Sequence, residues 1–206
     1  MVPEARDGSR AASMIGRMDA RPEARLPADR RRVLTLAMLA CPLPAAAQWL
    51  WALRAPRDWA EVERELTARF PAVPLVDDAA LAALLAAGGT LVLLDARSPA
   101  EWAVSRIPGA RPAFDDALAD ATLAGVAAST TVVAYCSIGL RSARLAQRLA
   151  AAGRPGVLNL RHGIFGWADQ GRPLQDDGGP ARRVHPYDAG WGRLLSDARR
   201  APMETR

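Results

Sequence analysis

Two continuous apolar runs constrain this chain more than any other feature. Thr90-Leu91-Val92-Leu93-Leu94-Asp95 and Thr131-Val132-Val133-Ala134-Tyr135 show no polar alternation, the pattern of strands covered on both faces. Each run leads into helix signals. Ser98 precedes Pro99 and stands three residues before Glu101, which reads as a capping box with proline at the first helical position. After Tyr135, a turn containing Gly139 opens a helical pattern over 140–152 that Gly153 closes. A helix over 79–87, capped by Asp77 or Asp78, a broken helical stretch over 114–128, a third strand over 157–160 and a short helix over 163–168 complete the order. Alternating strands and helices predict an α/β fold, with a mainly parallel central sheet and helices on both faces.

At 206 residues the chain has room for one ordinary domain with flanking sequence. The domain is expected at 75–174. Ahead of it, 48–74 reads as a linker with a helix over 56–70. Pro56 is placed in its first turn, and Trp59, Val62, Leu66 and Phe70 form an apolar stripe for packing onto the domain. Behind it, 175–206 reads as a tail. Asp176-Asp177-Gly178-Gly179-Pro180 is a linker-like stretch, and the aromatic residues near Tyr187 and Trp191 are read as folding back on the domain.

The N-terminus carries an export pattern. Arg30-Arg31-Arg32 precedes an apolar run from Val33 to Cys41, then small residues up to Ala47. Residues 30–47 therefore read as a signal peptide cleaved after Ala47, with 1–29 a disordered extension. The alternative is an uncleaved anchor, because apolar character continues to Leu53. The expected location is periplasmic or secreted, with contact to a membrane only if the segment is retained. Cleavage would remove Cys41 and leave Cys136 as the one thiol.

Of the +5 net charge, +3 falls in residues 1–47. The remainder has no basic stripe interleaved with aromatics, so nucleic acid is not an expected partner. His162 and His185 are isolated, and no Cys or acid cluster accompanies them. No metal and no cofactor are expected.

Cys136 ends the second apolar run and stands at the start of a helix. A free cysteine is mostly protonated at neutral pH. The partial positive charge of a helix N-terminus, loop N–H groups turned inward and the nearby Arg141 all favour the thiolate. Gly139 allows the positive φ that curls such a loop around a sulfur. A thiolate held this way can attack a sulfane sulfur, carry it as a persulfide and release it to a second nucleophile, in two covalent steps. The competing reading of Cys136 alone is a buried structural cysteine.

The wider pattern resembles the rhodanese family. Leu94-Asp95-Ala96-Arg97, Glu101-Trp102 with Ile107-Pro108-Gly109-Ala110, Val133 to Ala143 around Cys136, and Leu160-Arg161-His162-Gly163-Ile164-Phe165-Gly166-Trp167 follow the family's motifs in order. The resemblance implies a rhodanese-like fold and a sulfurtransferase of the exported, single-domain kind. It would move sulfur from thiosulfate or a similar donor to cyanide or a thiol, including a protein thiol. It implies Cys136 as the catalytic residue, with Ser137, Ile138, Gly139, Leu140, Arg141 and Ser142 binding the substrate. Asp95 and Arg97 would support the site, or equally form an ion pair that holds the loops. Ser105-Arg106 and Arg161-His162 depart from the family pattern. Ile138 and Leu140 give the loop an apolar rim, which fits a larger or protein-bound sulfur partner. Two alternatives remain: a non-catalytic sulfur carrier or binding module, and a phosphatase or arsenate reductase. The four residues between Cys136 and Arg141 make a small loop for phosphate.

Overall fold

The computed structural model describes residues 55–203. The export pattern, the 1–29 extension and Cys41 lie outside the described residues. Among the described residues no helix is long and apolar enough to cross a membrane.

The chain runs through α1 (Trp59–Arg69), β1 (Leu75–Val76), α2 (Asp78–Ala86), β2 (Leu91–Asp95), α3 (Pro99–Val104), β3 (Arg111–Pro112) and α4 (Asp116–Leu123). It continues through β4 (Thr131–Tyr135), α5 (Leu140–Ala151), β5 (Leu158–Leu160), α6 (Gly163–Asp169), β6 (Leu174–Gln175) and β7 (Pro180–Ala181), and ends in a 3₁₀ turn, Trp191–Leu194. Five strands form a parallel sheet in the order β1-β5-β4-β2-β3. β6 and β7 form a separate antiparallel pair.

The two apolar runs become the middle of the sheet. Their side chains alternate between faces, as the two-residue period of a strand requires. Leu93, Val133 and Tyr135 enter one core cluster with Val62 and Leu66 of α1, Leu81 of α2 and Ile164, Phe165 and Trp167 of α6. Val92, Leu94, Val132 and Ala134 enter a second cluster with Ala119 and Leu123 of α4 and Leu145, Ala146 and Leu149 of α5. This two-sided cover is why neither strand tolerates polar alternation. Each fully buried Leu or Val contributes roughly 1.5–3 kcal/mol.

Chain order places the site. From β2 the chain moves outward to β3, while from β4 it moves the other way to β5. Such a reversal opens a crevice at the carboxyl ends of the strands between which it occurs. Cys136 directly follows β4, so it stands in that crevice.

The flanks differ from the sequence expectation. α1 starts at Trp59 rather than near Pro56, because the Asp58 side chain accepts the Glu61 N–H and sets the first turn. The two departures at 161–162 dock this helix: His162 Nε2 lies 2.9 Å from Glu63 Oε1, its ring lies 4.4 Å from that of Trp59, and Arg161 reaches Glu63 at 3.8 Å. The stretch 176–180 is not an open linker. Asp176 accepts the Gly178 N–H and donates its own N–H to the Gly179 carbonyl, closing the turn between β6 and β7. Beyond it, Val184, Leu194 and Leu195 are buried in the first core cluster. The C-terminal segment therefore shares the core of the domain.

Candidate active site

The Cys136 loop is a short arc between β4 and α5. Gly139 has φ +102 and serves as the N-cap of α5 without a capping side chain. That conformation turns its N–H back, and it donates to Cys136 Sγ at 3.1 Å. The left-handed backbone required here is one that glycine adopts without steric cost. Asn159, on β5, holds the far side of the arc: its Nδ2 donates to the Gly139 carbonyl at 3.0 Å, while its Oδ1 accepts from Ser142 Oγ at 2.6 Å.

The outer carbonyls of the loop are held by the start of α6. Ile164 N donates to the Cys136 carbonyl at 2.8 Å and Phe165 N to the Ser137 carbonyl at 3.1 Å. Gly163 permits this approach. It has φ +57, and a Cβ built on it would fall 2.3 Å from the Cys136 carbonyl oxygen and 2.6 Å from that of Ser137. No side chain fits there. With these carbonyls fixed outward, the Gly139 N–H and the N-terminus of α5 face the sulfur, a setting suited to negative charge.

Glu101 organises the rim. One oxygen accepts the Ser98 N–H, completing the capping box of α3. Arg141 binds the same carboxylate in two-pronged fashion, Nη1 to Oε2 at 2.8 Å and Nη2 to Oε1 at 2.7 Å, and Ser137 Oγ donates to Oε1 at 2.7 Å. Burial works to raise the Glu101 pKa, but the hydrogen bond and charge of Arg141, with Ser137 and the Ser98 N–H, bring it down to about 2. Burial works to lower that of Arg141. Its bond to Glu101 and the nearby Cys136 and Glu101 outweigh this, so it is raised. The Arg141 guanidinium is thus tied to Glu101 while 36% of its side chain stays exposed.

Asp95 and Arg97 form the neighbouring strand end. Both are fully buried, with Arg97 Nη2 2.6 Å from Asp95 Oδ2. Burial opposes the Arg97 charge, and Asp95 more than offsets this, raising its pKa. Arg97 also donates to the Ser105 carbonyl, Tyr135 Oη donates to Asp95 Oδ2 at 2.6 Å, and Ile107 N donates to Tyr135 Oη. Burial and Asp95 push the Tyr135 hydroxyl well above its ordinary value. This network ties β2, β4 and the α3–β3 loop together.

The named loop residues therefore separate. Cys136, Ser137, Ile138, Leu140 and Arg141 line one cavity of about 240 Å³, and Gly139 supplies an N–H to the sulfur. Ser142 is fully buried and turned to Asn159, away from the cavity. Ile138 is 3% exposed and belongs to the core cluster, so the outward apolar rim narrows to Leu140. The cavity also takes in Arg69 and Phe70 from the end of α1, Arg144 from α5, and Tyr187 and Trp191 from the C-terminal segment. Sequence reasoning placed none of these five in the site. Among the described residues no group of three or more His, Cys, Asp or Glu is arranged to hold a metal ion.

Residues 77–170 match the Rhodanese-like domain family. A sulfurtransferase of Allochromatium vinosum is 35% identical over 99 residues, covering 48% of this chain and 92% of that protein. The chain belongs to the rhodanese-like sulfurtransferase family. A probable adenylyltransferase/sulfurtransferase, MoeZ, of Mycobacterium tuberculosis is 34% identical over 90 residues, covering 43% of this chain. The chain spans 23% of the length of MoeZ. The crystal structure of thiosulfate sulfurtransferase from Pseudomonas aeruginosa superposes with a TM-score of 0.48 at 28% identity, over 62% of this chain and 24% of that one. At family level, the activity of rhodanese-like proteins with these names is sulfur transfer. The matched span runs from the start of α2 to the end of α6 and includes the Cys136 loop, Glu101, Asn159 and Gly163. α1 and the residues lining the cavity from beyond α6 lie outside it.

Proposed function

We propose that this rhodanese-like chain moves a sulfane sulfur through a persulfide on Cys136. The observation that carries the reading is a free thiol, accepting the Gly139 N–H at 3.1 Å, at the base of a cavity and at a helix N-terminus. In the first step the Cys136 thiolate attacks the outer sulfur of thiosulfate or a similar donor. A sulfur–sulfur bond forms, the donor's own sulfur–sulfur bond breaks, and its electron pair leaves with sulfite. The terminal sulfur of the persulfide keeps one negative charge, which the partial positive charge at the N-terminus of α5 favours as it favoured the thiolate. In the second step cyanide or a thiol, including a protein thiol, attacks that outer sulfur and the electron pair returns to Cys136. No oxidant or reductant is consumed in the cyanide half-reaction.

The Glu101–Arg141 pair supports this reading over phosphate chemistry. Arg141 is tied through both terminal nitrogens to Glu101, and only four residues separate it from Cys136, a small loop for phosphate. Export remains part of the proposal, since the sequence pattern at 30–47 is its sole support. The test is thiocyanate release from a panel of sulfane donors in the presence of cyanide. Wild type should release it and Cys136→Ser should not. Equal rates in the two proteins would overturn the reading, and persulfide formation without turnover would mark a carrier instead.

A further inference from the structure

We infer that Tyr187 and Trp191 are specificity-determining residues, fitting the Cys136 cavity to an organic sulfane donor with an apolar body in preference to thiosulfate. The inference rests on the persulfide reading and names the donor class that reading leaves open.

Three observations converge. First, much of the cavity lining is apolar or aromatic: Phe70, Leu140, Tyr187 and Trp191 all line it with Cys136. A small, doubly charged, strongly hydrated anion gains nothing from such a wall and loses water to it, whereas an aryl or alkyl group gains by burial. Second, the loop arginine is already held by a carboxylate. Arg141 is paired at both prongs with Glu101, so the pair brings little net charge to the sulfur. Arg144 adds positive charge to the lining, which suits an anionic head carried by an apolar body.

Third, Tyr187 is held in place by strained backbone. It is the one non-glycine residue among those described with a positive φ, at +69, and such outliers persist where the surroundings over-determine them. Its N–H donates to His185 Nδ1 at 3.0 Å, and Asp188 Oδ1 accepts the N–H groups of Gly190 and Trp191 at 2.7 and 2.8 Å. The result sets the Tyr187 ring 5.1 Å from the Arg141 guanidinium and edge-on to Trp191 at 6.1 Å. Half of Tyr187 remains exposed. A ring that the core does not need is thus fixed at the mouth of the thiol's cavity.

With benzenethiosulfonate the step balances as with thiosulfate. The thiolate attacks the sulfane sulfur, the bond between it and the sulfonyl sulfur breaks, and benzenesulfinate leaves with the electron pair. The experiment compares kcat/KM for benzenethiosulfonate and thiosulfate by thiocyanate release. Wild type should favour benzenethiosulfonate. The preference should fall roughly tenfold in Tyr187→Ala and in Trp191→Ala, the scale expected for removing part of an apolar pocket, and Tyr187→Phe should retain it. A wild-type preference for thiosulfate overturns the inference, and so does an unchanged ratio in a folded alanine variant. Absence of persulfide with either donor overturns the persulfide reading as well, which separates the two failures.

Discussion

Glu101→Gln puts a number on the tie between the active loop and α3. The ordinary carboxyl value of 4.5 falls to about 2 in the folded protein, which corresponds to roughly 3 kcal/mol at about 1.36 kcal/mol per pH unit. Arg141 keeps 36% of its side-chain exposure, so screening by solvent reduces this, and the expected loss is about 2 kcal/mol. The amide oxygen keeps an acceptor for the Ser98 N–H, so the cap of α3 survives, while the charge is removed and the amide NH2 faces the Arg141 Nη2 and Ser137 Oγ donors that Oε1 had accepted. For a domain of this size the loss corresponds to roughly 4–8 °C in Tm. Because the folded value lies below the unfolded one, the stabilisation is fully present above pH 4.5 and is lost as pH falls through about 2. Thermal melts of wild type and variant at pH 7 and at pH 3 should therefore show a clear difference that narrows at the lower pH. A Tm change below about 1 °C at pH 7, or a gap just as wide at pH 3, would refute the reasoning.

Other expectations follow from the same contacts. Gly163→Ala places a methyl 2.3 Å from the Cys136 carbonyl oxygen at a positive φ. It should cost roughly 2–4 kcal/mol in denaturant unfolding and at least about tenfold in thiocyanate release, and near wild-type values in both would contradict the account of the loop. Tyr135→Phe removes a donor to Asp95 and the acceptor of the Ile107 N–H. It should lower unfolding stability by about 1–3 kcal/mol, with far less effect on the ratio of donor preferences than Tyr187→Ala, since Tyr135 does not line the cavity.

Much of the fold was legible because its signals are local. The apolar runs, the Ser98–Glu101 capping box and the glycine before α5 are all written within a few residues, and each sits where expected. β1 and β3 escaped because they are two residues long, and their pairing with β5 and β2 has no local signature. The turn at 176–179 looked like a linker because Asp and Gly favour both. Asp176 bonding its own neighbours decides between them.

The site divides in the same way. Cys136 and Gly139 were readable from the strand–turn–helix order. Glu101 was readable only as a helix cap, since its bond to Arg141 spans 40 residues. Arg141, read from the sequence as a substrate-binding residue, lines the cavity and carries that partner as well. Tyr187 and Trp191 lie about fifty residues beyond the thiol, and the sequence read them only as an aromatic tail folding back on the domain. Their place on the cavity follows from the burial of Val184, Leu194 and Leu195 on either side, in the core cluster that also holds residues of α1, α2 and α6.

The central claim is that Cys136 carries the sulfur, and intact-mass spectrometry reads this without assuming the acceptor. Incubated with thiosulfate or benzenethiosulfonate, the wild-type protein should gain one sulfur atom, about 32 Da, as a persulfide. Peptide mapping should place it on Cys136, and cyanide should remove it with release of thiocyanate. A wild-type protein that gains no mass with either donor, or a Cys136→Ser variant that gains it equally, would contradict the account.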